Sequence, residues 1–244
     1  MELVVLGSSS KGNGYILDNG NEALILEAGI NVKAVKEALG FNLRKVAGCV
    51  VTHRHNDHAG DIKHYVGLFP VLALQDVLNA KHVNDRRAHA IELGQCYRLG
   101  NFTVKPYEVW HDVPCVGYLI HHPSMGLMLF ATDTYSLDYT VPGLNHILIE
   151  CNYSVAALTK AIEEERTDRS QVYRLSKSHL EFASTKAFLR RNDLSHVTEV
   201  VLIHLSENNA DENLFVSEIQ AMTGKPTYAA HAGLRLDFGN VMTT

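Results

Sequence analysis

Residues 50–61, VVTHRHNDHAGD, place His53, His55, Asp57 and His58 within six positions directly behind an apolar run. Imidazole nitrogens and carboxylate oxygens are the donors that zinc and its first-row neighbours take from proteins. At the extended end of a strand, residues 53 and 55 point to one face, so a single ion can take both imidazoles. Asp57 and His58 follow in the next turn and can face a second ion. Without a metal, the four are simply polar residues on a surface loop; their density behind a buried strand favours ligation. Four groups cannot close two tetrahedral sites, so further ligands must come from elsewhere. Three candidates stand at the ends of apolar runs: His111 after VKPYEVW, Asp133 after GLMLFAT and His204 after VVLI. His231, after PTYAA, competes with His204 for the last position, but VVLIHLS repeats the strand-then-ligand order and favours His204.

Such an arrangement needs strands that end along one edge. ELVVL, GYILDN and EALILEA read as short strands punctuated by glycine-bearing turns, and SSSKGNG, which lacks the GxxxxGK[ST] spacing of a phosphate loop, reads as a tight turn. Asn31 can cap a helix VKAVKEAL that stops at Gly40, after which VAGCVVT is a buried strand running into the histidine cluster. AGDIKHYVGLF is helix-like, VLAL a strand, QDVLNAKHV a helix and NDRRAHA a polar loop. CYRLGNFTVKPYEV and VGYLIHHPSMGLMLFAT have the turn chemistry of two hairpins, and NHILIEC is a further buried strand. The last third alternates helices (SVAALTKAIEEE, EFASTKAFLRR, ADENLFVSEIQAM) with strands (TEVVLIHL, PTYAA, GLRLDF). This α/β order predicts a sandwich of two sheets covered by helices.

At 244 residues, 46% hydrophobic and 20% charged, the chain reads as one globular domain spanning residues 1–244. No segment reaches the roughly 18 apolar residues of a membrane span, and no cationic lead precedes an apolar core, so the expected location is cytoplasmic, with no membrane partner. Cys49, Cys96, Cys115 and Cys151 form no CxxC pair, and no disulfide is expected. A formal charge of −5 gives no global attraction to nucleic acid. Locally, Arg166, Arg169, Arg174, Lys177, Lys186, Arg190 and Arg191 face only Asp168 and Glu181 over the same stretch; a solvated helix face is the plainer reading.

His53-Arg54-His55-Asn56-Asp57-His58 matches HxHxDH, and on it the chain resembles the metallo-β-lactamase superfamily. The resemblance implies a four-layer αββα sandwich of two mixed β-sheets. It implies one metal on His53, His55 and His111, a second on Asp57, His58 and His204, and Asp133 bridging both. Around later motifs, LGSSSKGN, HDVPCVGY, ATDT, LIECNY and IHLSENN look like the YycJ/WalJ type of metal-dependent hydrolase. Departures stand at Glu27 for an Asp, at Cys151 for a Ser, and at Ser178-His179-Leu180-Glu181-Phe182 for a Gly-His-Leu-Ser-Asn run. By this likeness Asp57 and His179 carry catalysis, His179 as proton donor or phosphate contact; its plainer reading is a capping or exposed histidine. Ser8, Ser9, Asn13 and Lys177 are substrate-binding candidates. The cofactors are two divalent ions, zinc first with manganese or iron as alternatives, and the reaction is phosphodiester hydrolysis of DNA by an activated hydroxide. A small-molecule hydrolase splitting a cyclic phosphodiester, lactone or thioester is the alternative, and a non-catalytic, metal-stabilised interaction protein a third reading. Oligomeric state is left open.

Overall fold

The computed structural model describes residues 1–168 and 170–239. The first half of the chain builds one sheet: β1 (Glu2–Ser9), β2 (Gly12–Asp18), β3 (Ala23–Leu26), β4 (Val46–Val50), β5 (Val71–Ala73) and β6 (Ala88–Ala90). Between these strands lie α1 (Val32–Ala38), α2 (Asn56–Ala59), α3 (Ile62–Val66) and α4 (Gln75–Ala80). The second sheet takes β7 (Tyr97–Leu99), β8 (Phe102–Glu108), β9 (Val116–His122), β10 (Gly126–Ala131), β11 (Leu144–Glu150), β12 (Glu199–Ile203) and β13 (Thr227–Ala229). Helices α5 (Val155–Glu163), α6 (Ser170–Ser178), α7 (Phe182–Arg191) and α8 (Glu212–Thr223) accompany it, and β14 (Arg235–Asp237) returns to pair with β1. Each sheet has seven strands, ordered β14-β1-β2-β3-β4-β5-β6 and β13-β12-β11-β10-β9-β8-β7.

Alternation along the strands makes the layers. Leu3, Val5, Tyr15 and Leu17 point inward against Tyr118, Phe130, Leu148 and Val201 of the other sheet, with the Tyr15 and Phe130 rings edge to face at 5.5 Å. Val4, Ile16 and Ile25 face the opposite way, onto α1, α3 and α4. Ile147, Ile149, Val200 and Leu202 turn outward onto Phe188 of α7 and Phe215 of α8. The result is the four-layer αββα sandwich of two mixed sheets.

Most of the sequence-based elements are present. Asn31 caps α1 by accepting from the Lys33 amide, and Gly40 sits at φ 57°, the left-handed position that ends such a helix. Three details differ. NDRRAHA is not all loop, because Ala88–Ala90 pairs with β5 as an edge strand. SSSKGNG is mostly hairpin strand, its turn confined to Ser10 and Lys11. SQVYRLSKS forms α6, a helix that its polar composition hid. Arg169, counted in the basic stretch, lies outside the described residues.

The pairing directions decide where functional side chains gather. β10, β11 and β12 are mutually parallel, and β8 is parallel to β10 through the antiparallel β9. Asp133, Glu150, His204 and His111 follow those strands and so arrive at one edge. β1, β3 and β4 likewise end together, bringing Ser8, Glu27 and His53 to the facing edge. No helix among the described residues is long and apolar enough to cross a membrane. All four cysteines are free thiols.

Candidate metal centre

The chain turns sharply after three of these strands. Glu27, Asp133 and His204 take φ of 69°, 46° and 54°, a left-handed backbone that non-glycine residues rarely adopt. Such strain persists where surrounding contacts over-determine it, and here all three side chains are buried in the cleft between the sheets.

Two donor sets hold the residues predicted as ligands, and a third group, Asp133, Glu150, His179 and His204, overlaps them. In one, His53 Nε2 lies 3.1 Å from His55 Nδ1, which lies 3.2 Å from His111 Nε2, and Asp133 Oδ2 is 3.8 Å from both His53 Nε2 and His111 Nε2. In the other, Asp57 Oδ2 is 3.1 Å from His58 Nε2 and 3.3 Å from His204 Nε2, with Asp133 Oδ1 3.4 Å from His58 Nε2. Within each set the donor atoms all lie within 4.8 Å of one another, and Asp133 belongs to both. Three imidazole nitrogens converging at hydrogen-bond distance suit a shared cation, so the donors present fit a metal pair.

The surrounding contacts choose which ring nitrogen faces inward. His53 Nδ1 meets Thr52 Oγ1 at 3.0 Å, and that hydroxyl donates to Glu27 Oε1 at 2.6 Å. His111 Nδ1 donates to the Ser178 carbonyl at 2.8 Å. Both leave Nε2 for the centre, as partners behind ligating histidines do. The buried Glu27 also stands 3.4 Å from His58 Nδ1. Asn152 donates to the His204 carbonyl, and Ser8 Oγ accepts the His204 amide at 2.8 Å.

Ionisation divides the site. Burial lowers the pKa of His53 and His55, which are neutral and ready to donate lone pairs. Burial acts the same way on His58 and His204, but the surrounding acids together outweigh it: Asp133 with Glu27 and Asp57 raises His58, and Asp133 with Asp57 and Glu150 pushes His204 up to about 10. Conversely, burial disfavours the Asp133 carboxylate, yet His204 and His58 hold it well below the usual range. Without a cation, protons on these histidines balance the buried acids, and a metal would displace them.

His179 belongs to the same cleft. Its ring stacks on His204 with centroids 5.3 Å apart, and its Nδ1 is 2.7 Å from Glu150 Oε1. Burial would lower its pKa, but the Glu150 carboxylate raises it. Glu150 is the residue that sequence reasoning missed. Wholly buried, it accepts from the Thr134 and Leu180 amides at 2.9 and 3.0 Å and also approaches His204 Nδ1 at 3.3 Å. The signal was present: NHILIEC ends a buried strand in a ligand type, as the runs before Asp133 and His204 do.

The other candidates separate. Asn13 is fully buried, its amide 3.3 Å from Asp57 Oδ2 and 3.0 Å from His58 Nε2, so it positions those side chains. Ser8 is engaged with His204 and Tyr15. Ser9 does line a cleft of about 330 Å³ with Arg174, Asn152, His179, His204 and Asn209. Lys177 is exposed on α6, its Nζ 5.7 Å from the Tyr135 ring centroid. His231 is exposed, hydrogen-bonds the Ala229 carbonyl and joins neither donor set.

Residues 10–93 match the model of the metallo-beta-lactamase superfamily. The fold of the chain is that of the metallo-β-lactamases. It is 23% identical over 251 residues to the exodeoxyribonuclease WalJ of Streptococcus pneumoniae serotype 2, covering 96% of this chain and 91% of that one. The metallo-β-lactamase-fold protein YhfI from Bacillus subtilis superposes with a TM-score of 0.73 at 16% identity, over 96% of this chain and 98% of that chain. Zn(2+)-bound PqqB from Methylobacterium extorquens gives 0.71 at 14% identity, over 97% and 100%.

Proposed function

We propose that this metallo-β-lactamase-fold protein hydrolyses phosphodiester bonds in DNA with two divalent ions, zinc first and manganese or iron as alternatives. One observation carries the reading: Asp133 is common to two donor sets, His53, His55 and His111 on one side and Asp57, His58 and His204 on the other. Such an ion pair, when bound, lowers the pKa of a water toward neutrality and stabilises charge on entering and leaving oxygens.

The chain's own groups supply the rest. Glu150 occupies His179 Nδ1 and favours the charged ring, so Nε2 carries the proton that a departing alkoxide needs. Asp57, fixed by Asn13, His58 and His204, orients the attacking side. Ser9 and Arg174, lining the cleft beside His179, give a phosphate hydrogen bonds and a positive charge. Support for DNA comes from the likeness to WalJ over nearly the whole chain.

A second reading, hydrolysis of a small phosphodiester, is favoured by the fate of the basic stretch. Arg166 pairs with Glu164, Lys186 with Glu218 and Arg191 with Asp138, while among the described residues of that stretch only Arg174 lines the cleft. The test is cleavage of end-labelled single- and double-stranded DNA, RNA and bis(p-nitrophenyl) phosphate with each metal, alongside Asp133→Asn. Turnover of the small diester alone selects the second reading. No turnover of any phosphodiester by metal-loaded protein refutes both.

A further inference from the structure

Large aromatic rings on a protein surface leave apolar area in water, and rings gathered at one place have something to cover. Five aromatic side chains are notably exposed among the described residues: Phe41, Trp110, Tyr135, Tyr173 and Tyr228. Two of the five adjoin the candidate centre, and a third lies one helical turn from the lysine that covers one of them. Trp110, 45% exposed, immediately precedes His111, and Tyr135, 36% exposed, stands two residues past Asp133. The two segments are tied together: the Tyr135 amide donates to the Trp110 carbonyl at 2.9 Å, and the Trp110 amide to Thr134 Oγ1 at 3.0 Å. Tyr173, 74% exposed, lies one helical turn before Lys177 on α6, and Lys177 reaches over the Tyr135 ring. The end of α6 is in turn fixed to the centre through the Ser178 carbonyl and His111 Nδ1.

We infer that Trp110, Tyr135 and Tyr173, with Lys177 among them, form a stacking track for the bases of single-stranded DNA leading into the metal centre. Aromatic faces interleaved with cations beside a charged groove are how proteins hold single strands, because every base has a π-face. Paired bases keep their faces inside the duplex and cannot use such a track. Charge agrees with this division. Trp110 lines a slot of about 420 Å³ with the exposed Leu93 and the carboxylates Glu108 and Asp112, which keep phosphates off that wall and leave it to uncharged bases, while Lys177, over the Tyr135 ring, offers a phosphate its charge. The inference rests on the DNA reading and adds which strand form is held and by which side chains.

Trp110 is the sole tryptophan in the chain, so its fluorescence reports the track directly. A short oligodeoxyadenylate and its duplex with the complementary strand are titrated in chelator, where nothing is cut, and cleavage is assayed separately with metal. The expected result is quenching by the single strand well beyond that by the duplex. By anisotropy of a labelled strand, Tyr135→Ala and Trp110→Ala each weaken binding roughly 5- to 150-fold, and Trp110→Phe restores most of it. Lys177→Ala flattens the salt dependence. Absence of quenching, equal quenching by duplex, or wild-type binding by both alanine variants overturns the track. A protein that cuts DNA with Trp110 unquenched loses the track and keeps the nuclease reading. Quenching without cleavage loses that reading and keeps the track.

Discussion

Gly29 tests how tightly the centre is built. An added Cβ there would sit 1.6 Å from the Asp57 carbonyl oxygen and 2.9 Å from the Asn13 amide nitrogen, whereas ordinary contact begins near 3.4 Å. Both obstacles are backbone, so no side-chain rotation relieves them. The two segments are also stitched together, Ala28 N to the His58 carbonyl at 2.8 Å and Gly29 N to the Asn13 carbonyl at 3.1 Å. Gly29→Ala must therefore push the turn carrying Asp57 and His58 back by roughly 2 Å, where about 1 Å of misplacement already costs on the order of a hundredfold in rate. Overpacking alone costs about 1–3 kcal/mol, which a domain of this size survives. The expected outcome is a folded protein by circular dichroism, with a lower melting temperature, weakened binding of the metal that takes Asp57 and His58, and activity down at least about a hundredfold. Elemental analysis and a phosphodiesterase assay measure both. Wild-type metal content and activity in Gly29→Ala would show that the geometry around Asp57 is not what the chemistry needs.

Asp133→Asn removes the carboxylate common to both donor sets; losing one partner of a buried charge pair costs about 3–5 kcal/mol, or roughly 10²- to 10⁴-fold in affinity for at least one ion, read by competition with a chelator. Glu150→Gln releases His179 from the charge that raises its pKa, so kcat falls and the alkaline limb of the pH profile moves to lower pH; an unmoved limb removes His179 as the acid. Metal uptake should release protons. The pKa of His204 is raised from 6.5 to about 10, so its contribution to the metal-free fold is full below 6.5 and is lost as pH rises through 10; apparent metal affinity should climb over that window, checked calorimetrically in two buffers of different ionisation enthalpy. Arg174→Glu, in the cleft, should weaken DNA binding and its salt dependence far more than Arg190→Glu at the exposed end of α7; equal effects would mean the strand is held elsewhere.

The donor types were readable because each strand-then-ligand signal is local: an apolar run long enough for a buried strand, then an imidazole or carboxylate where that strand must stop. That pattern, with HxHxDH, pointed to the seven side chains of the two donor sets, though not to Glu150 beside them, and hydrophobic alternation pointed to the layers. What surrounds them was not local. Asn13 turns inward because β1 and β2 pair in a register that places its amide against α2, a fact about two distant segments. Glu150 looked like the end of one more core strand until α6 and α7 brought His179 and the Leu180 amide to it. The basic stretch read as one charged face, but helix packing spends Lys186 on Glu218 and Arg191 on Asp138, leaving Arg174 to the cleft. Sequence thus determined which donor types stand at which strand ends, since period and residue type act over a few positions. Only tertiary structure decided which nitrogen of each ring faces inward and which acid supports which base, because those depend on contacts between segments far apart along the chain.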